Sequence, residues 1–433
     1  MRQRHNNSKA WSYNNMPCIL DRYRGRCMLK RVFYLHFHNL TRGSPMTFGT
    51  CAVFGGLGAM GKGAVIFMKD MFEKFVIIDE RVPTDGDRIF FEKTVPGRFE
   101  IMTESFTDGT DFIAQALKMH SVSVCIGTLP SRWQILGAYA ALRQHSCHYF
   151  DLGADNDVLM EQREIFSKTN REKIFMPFCG FDPGILNILV LSATKHPICD
   201  SIEVLVGGFP AQVPENALCH EWTFNPTSTL ETYRGETCVI ENGKLTLKSA
   251  LTGYSNISYE HRIMGAFYTN CGNIQLMEKI ATNTSIMRRL KTCAIRSIRH
   301  LGHWEAIRSM AEGGLFDDDV FKMNAQKLAK AYPHAKNDIA FMRIICKKNS
   351  NFLARIEWSE TSDKDFSAMQ KATMKSTTLI VQKALECFYA DTSPRISGFM
   401  MPETFVSETL NLSPNNIIRL MQAFGMNVRM SVT

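Results

Sequence analysis

The residues best suited to chemistry near the start of this chain are a set of glycines and one acid. Residues 53–68 read VFGGLGAMGKGAVIFM, and Gly56, Gly58 and Gly61 form a G-x-G-x-x-G pattern within them. This spacing suits a turn that cradles phosphate. The first glycine permits a tight bend, the second lets the backbone approach a pyrophosphate, and the third lets a helix close on a strand. Ala59 and Met60 open a helical run whose unpaired N–H groups and partial positive charge would face the phosphates. Asp79 follows Gly61 by 18 residues, where a carboxylate can accept hydrogen bonds from the adenosine ribose. That carboxylate repels a 2′-phosphate and so favours NAD over NADP. Arg81, two residues on, leaves NADP open, since an arginine there can accommodate the phosphate.

The glycine pattern is common, and its flanks give it weight. TCAVFG (Thr50 to Gly55) is a buried-strand pattern, AMGKGAVIFMKD follows as a helix, and KFVIIDER (Lys74 to Arg81) is a second strand closed by an acid. The alternation continues through RFEIM, GTDFIAQALKMH and VSVCIGTLP, then through HYFDLG and KIFMPFCG. In VSVCIGTLP, Thr128, Leu129 and Pro130 end the strand in a loop placed to cross a cofactor. The expected fold class is therefore α/β, a Rossmann-type doubly wound parallel sheet over 46–178. Beyond residue 200 the pattern becomes alternating strands, with ENG as a hairpin turn. This reads as an inserted α+β domain, 179–362, for catalysis and dimerisation, followed by a C-terminal segment, 363–433. Within that segment, Asp365 to Tyr389 reads as one long helix.

Composition excludes several classes. The chain has 433 residues, 45% hydrophobic and 21% charged, an ordinary globular balance with room for two or three domains. No apolar stretch approaches the length of a membrane span; GILNILVLSA (Gly184 to Ala193) is the nearest. The net charge of +8 would suggest nucleic acid, but residues 1–45 hold nine Lys/Arg and a single acid, leaving 41 of each sign for the rest. The body is neutral, and neither nucleic acid nor membrane is an expected partner. The basic extension reads as a targeting peptide, as a plain disordered segment or as sequence upstream of a start at Met46. A cytoplasmic location is the expectation for the body. The 13 cysteines include no C-x-x-C, and HSCH (His145 to His148) lacks the paired spacing of a zinc site, so free thiols and no metal are expected.

Several stretches, in order, resemble a known family: VFGGLGAMGKGAV, CIGTLP, HYFDLG, FCGFDPGILNIL, GGFP, AFYTN, RHLGHWEAIRSMAEGGLF and SAMQKAT…GFMMPETFV. Together they are similar to the saccharopine dehydrogenase-like family, and most similar to its lysine 6-dehydrogenase branch, over roughly residues 48–408. The resemblance implies a Rossmann domain completed by a helix from near the C-terminus, and a catalytic domain that commonly contributes to a homodimer. In activity it implies oxidation of the ε-carbon of L-lysine with hydride transfer to NAD, followed by hydrolysis of the imine to the semialdehyde. The related alternative is NADPH-dependent reductive condensation, as in a saccharopine reductase or a carboxynorspermidine-type synthase. A non-catalytic dinucleotide-binding regulator is a third reading. Two departures bear on substrate choice: Ala154 replaces a second glycine after Asp-Leu-Gly, and KSTTLIVQ replaces a Gly-Phe-Pro run.

An ammonium cannot release a neighbouring hydride usefully, because the resulting cation has no lone pair to stabilise it. With a lysine pKa of about 10.4, supplying free amine at pH 7 costs about 4.6 kcal/mol. A base or a desolvating wall is therefore expected, with a cationic clamp for the α-carboxylate. Arg299 and His303, in RHLGH, match the family pattern; Arg299 suits the carboxylate. His303 suits a proton shuttle or a structural hydrogen bond. Asp182, in GFDPG, reads as a helix N-cap ahead of Pro183 or as a substrate-contacting acid. Asp151, at a strand end, reads as a site residue or as part of a turn. Tyr268 and Thr269, in AFYTN, end a strand of the inserted domain, and Tyr268 could equally belong to the core.

Overall fold

The run Thr50–Phe54 forms strand β1 near the middle of a seven-stranded parallel sheet. Its partners are Lys74–Asp79 (β2), Phe99–Thr103 (β3), Val122–Gly127 (β4), His148–Asp151 (β5) and Ile174–Met176 (β6). A two-residue strand from far along the chain, Gly398–Phe399 (β15), completes it. The order β15-β6-β5-β4-β1-β2-β3 reverses direction between β1 and β4. The strands are short and almost continuously apolar because helices cover both faces. The computed structural model describes residues 46–106, 109–144, 147–167, 172–390 and 396–433. The basic extension 1–45 and the first half of HSCH, His145 and Ser146, lie outside the described residues.

The second sheet is mixed and has nine strands. Ser201–Pro210 (β7) runs through its centre, parallel to Thr292–His300 (β12) on one side and antiparallel to Asp338–Lys348 (β13) on the other. Glu236–Glu241 (β8) and Lys244–Ser249 (β9) form the expected hairpin. Its Asn242 and Gly243 both sit at positive φ, 51° and 72°, as a two-residue turn requires. Ser255–Tyr259 (β10) and Arg262–Phe267 (β11) extend one edge, and Asn351–Thr361 (β14) and Val428–Val432 (β16) extend the other. The fold is thus α/β, with a Rossmann-type sheet and a second mixed sheet.

Two helices join the sheets. Ile185–Ala193, buried at every residue, packs on β7 and β13. The long helix Ala368–Tyr389 starts in a capping box of Ser367 and Gln370 and packs against both β13 and the helix Ala59–Met68. Gly63 leaves the space that Met374 fills: a Cβ there would meet Met374 Cγ at 2.8 Å. One apolar core consequently runs from Phe48 and Val65 through Leu186 to Met342 and Val381. The C-terminal segment divides between the sheets. Its long helix and β15 serve the first, while β16, alternating Val428, Met430 and Val432 inward, pairs with β14 of the second. No helix among the described residues is long and apolar enough to cross a membrane.

Candidate active site

β1 ends at Phe54, and the glycine turn follows at the carboxyl edge of the sheet, at the strand-order reversal where such sheets take ligands. The N–H groups of Gly55 and Gly56 donate to Ile78 O at 2.8 and 3.3 Å, tying the turn to the end of β2. Gly56 and Gly61 have no room for a side chain. A Cβ on Gly56 would meet Ile77 Cγ2 at 2.5 Å, and one on Gly61 would meet Gly55 O and Gly56 Cα at 2.4 Å. Gly58 is different: it is exposed, with only Gly55 O near its absent Cβ, at 3.2 Å. It caps the helix Ala59–Met68 without any side-chain bond, so the first N–H groups stay open to an anion. The Asp79 carboxylate spans the turn, accepting from Leu57 N and Arg81 N at 3.0 Å each. From β4, Thr128 Oγ1 donates to Phe54 O at 2.7 Å, and Leu129 lies against Gly55. Gly56, Gly58, Ala59, Met60, Gly61, Asp79, Thr128, Leu129 and Pro130 thus gather at one edge, and the cradle fits a dinucleotide pyrophosphate.

The second group of residues lies on β12 and the segments around it. Arg299 is 5% exposed and has no ion-pair partner among the described residues. Its Nε donates to Tyr233 Oη at 3.2 Å and its Nη1 to Ile298 O at 2.8 Å, leaving Nη2 without a partner among the described residues. The side chain lies against β7 because Gly207 lacks a Cβ, which would meet Nη1 at 2.9 Å. A buried guanidinium without a carboxylate is costly unless an anionic ligand completes it.

Asp182 faces the same region. Its backbone lies inside a tight loop in which Gly180 bridges Gly184, and Gly184 sits at φ 128°. Asn273 Nδ2 donates to Asp182 Oδ1 at 3.4 Å, and the buried Oδ1 of Asn273 has no partner among the described residues. Burial raises the Asp182 carboxyl to about 7, against the opposing pull of hydrogen bonds from Asn273 and Cys271 and the charge of Arg299. The arrangement offers two acceptors, Asp182 and Asn273 Oδ1, and a cation, Arg299. The first turn of the long helix links it to the glycine turn. Met369 packs on Gly208 of β7, while Gln370 Nε2 donates to Ala59 O at 3.1 Å.

Several expectations require correction. Asp182 is not an N-cap: Gly184 holds that position, and the helix begins at Ile185. His303 is not placed to shuttle protons. It is fully buried, its Nδ1–H donates to Leu218 O at 2.9 Å, and its Nε2 accepts from Tyr233 at 3.0 Å. Burial, then the Arg299 charge, pushes it down to about 3, so it stays neutral and orients Tyr233 against Arg299. Asp151 is consumed by structure, accepting from Gly153 N, Phe178 N and Gln162 Nε2, with its carboxyl raised by burial. Thr269 shares the Arg299 face, but its hydroxyl is paired with Ser297 Oγ at 2.7 Å. Tyr268 points to the opposite face, where its ring lies over Gly253 beside Arg296.

Sequence reasoning missed Asn273 and Tyr233. Asn273 lies three residues past the AFYTN stretch, close enough to have been weighed with it. Tyr233 carried no signal, since only its pairing with residues 66 and 70 positions away gives it a role. Among the described residues no three His, Cys, Asp or Glu side chains cluster as a metal site, and all described cysteines are free.

A glycine-turn Rossmann-type sheet joined to a mixed sheet, with a buried arginine that has no ion-pair partner among the described residues, defines the class of α/β protein. The chain belongs to the saccharopine dehydrogenase-like family: the saccharopine dehydrogenase C-terminal domain matches residues 180–410, a little over half its length. No curated protein matches significantly. Among solved structures, the Bordetella bronchiseptica enzyme WbmG in complex with NAD and UDP aligns at 15% identity over 25% of this chain and 38% of its own, with a TM-score of 0.21. The GsuK channel bound to NAD aligns at 13% identity over 60% of this chain and 45% of its own, with a TM-score of 0.22. The chain thus spans less than half of either structure.

Proposed function

We propose that this protein is an oxidoreductase acting at the amine-bearing carbon of an amino acid, most specifically the ε-carbon of L-lysine, with NAD as cofactor. The observation that carries the reading is the buried Arg299 guanidinium, without a carboxylate partner among the described residues, beside an acid whose pKa burial raises to about 7. When bound, a nicotinamide dinucleotide supplies the hydride acceptor. Gly56, Gly58 and Gly61, with the open N–H groups of Ala59 and Met60, would hold its pyrophosphate, and Asp79 its ribose. Arg299 Nη2 receives the substrate carboxylate, oriented through Tyr233 and His303. Asp182 accepts the proton that frees the amine, and Asn273 Oδ1 accepts a second N–H and so aligns it.

The raised pKa of Asp182 makes this transfer practicable. Moving a proton from a lysine ammonium to an ordinary aspartate is uphill by about 6.5 pK units, against about 3.4 for an acid near 7. Asp182 then returns the proton during hydrolysis of the imine. A homodimer belongs to the same reading and is testable by light scattering. Reduced nicotinamide is followed by its absorbance with L-lysine and NAD, then NADP, at alkaline pH. A rate that needs both lysine and NAD, and that is lost on Arg299→Met, supports the proposal. Silence with both cofactors sinks lysine oxidation. The family match, whose description names saccharopine, favours a second reading: reductive condensation of an amine with an aldehyde, assayed as consumption of NADPH in the condensing direction.

A further inference from the structure

At the ribose end of the cradle, Arg81 is already engaged. Its Nη1 donates to Asp87 Oδ2 at 3.0 Å, while Nη2 donates to Asp87 Oδ1 at 3.3 Å and to Leu57 O at 3.0 Å. This is a two-pronged guanidinium–carboxylate pair of the strong kind. Asp87 cannot follow the arginine outward. It is 2% exposed and also accepts from Thr84 N at 2.8 Å, Thr84 Oγ1 at 2.7 Å and Lys62 Nζ at 2.7 Å. Burial alone would raise its carboxyl, but the hydrogen bonds from Arg81, Lys62 and Thr84 outweigh that and hold it well below the usual range. Two cations, Lys62 and Arg81, therefore face two carboxylates, Asp79 and Asp87. A ribose 2′-phosphate, carrying nearly two negative charges, finds no uncommitted cation among them.

We propose that Asp87 is a specificity-determining residue that holds Arg81 and Lys62 away from the ribose 2′ position and so fixes NAD over NADP. The proposal rests on the dinucleotide reading above. Asp79 disfavours the 2′-phosphate by repulsion, and Asp87 removes the arginine that would compensate for it.

The full chain is titrated with NADH and with NADPH, reading nicotinamide fluorescence without any substrate. Wild type is expected to bind NADH more tightly. Asp87→Ala should improve NADPH relative to NADH by about tenfold, and adding Arg81→Ala should cancel that gain. Arg81→Ala alone, at a half-exposed position where folding is safe, should leave the NADPH-to-NADH ratio unchanged. A wild-type preference for NADPH overturns the proposal. So does a folded Asp87→Ala protein with an unaltered ratio, or a selective loss of NADPH affinity in Arg81→Ala. If Asp87→Ala does not fold, Arg81→Ala decides by the same criterion. A wild type that binds neither nucleotide refutes the dinucleotide reading itself, and is distinguished by that common failure.

Discussion

Replacing Asp182 by asparagine should move activity and stability in opposite directions, a combination a merely structural acid does not produce. Burial raises the carboxyl from 3.8 to about 7. The folded protein therefore keeps a proton that the unfolded chain has released, and stability falls as pH rises from near 4 to near 7. Above that window the ionised side chain carries the full penalty. A shift of about 3 pK units corresponds to at most ~4 kcal/mol. The carboxamide of Asp182→Asn cannot ionise, yet its oxygen can still accept from Asn273. The variant should match wild type in Tm near pH 4 and exceed it increasingly toward pH 8. Catalysis should fall by about 10²- to 10⁴-fold, the usual contribution of a positioned acid–base group. The rise of wild-type kcat/KM through about pH 7 should vanish with it. Thermal melts across this pH range and a pH–rate profile make the test. A variant that keeps its rate would refute the assigned role, and one whose Tm gain does not grow with pH would refute the burial argument.

The remaining predictions follow from contacts of the same site. Arg299→Met should cut kcat/KM for a carboxylate substrate by about 100-fold, mainly through KM, with Tm unchanged or raised, because the charge it removes has no acid partner among the described residues; a Tm drop of many degrees would make the arginine structural. His303→Phe should lower kcat/KM by loosening Tyr233 yet leave the acid limb of the pH profile in place, since the imidazole is already neutral there; loss of that limb would restore it as a proton carrier. Gly61→Ala should damage folding and nucleotide binding together, its methyl landing 2.4 Å from Gly55 O and Gly56 Cα. Gly58→Ala, at φ −72° and with 3.2 Å of clearance, should melt like wild type and lose only nucleotide affinity, read by fluorescence titration.

The glycine turn and Asp79, the candidate nucleotide half of the site, were legible in the sequence because their geometry is local and follows strand ends. Gly56 to Gly61 need only the strand before them and the helix after, and Asp79 needs only the next strand. Backbone geometry does most of the work, so spacing suffices. The candidate substrate half is assembled from segments that spacing cannot relate. Asp182 meets Asn273 across 91 residues, and Arg299 meets Tyr233 across 66. Asp182, Asn273 and Tyr233 sit on loops or helix ends, and Arg299 on β12, so only the tertiary fold brings them together. Asp182 shows the limit most plainly. Asp-Pro-Gly ahead of an apolar run reads as a cap and a first helical turn, but Gly184 at φ 128° folds back on Gly180 and delays the helix by a full bend. The carboxylate that would have capped backbone N–H groups is left for Asn273 instead. His303 reverses the case: its unperturbed pKa invites a catalytic role, and only complete burial beside Arg299 removes it. Residue type proposes which groups can exchange protons, but tertiary burial sets which of them titrate near neutral pH: it raises Asp182 to about 7 and pushes His303 down to about 3.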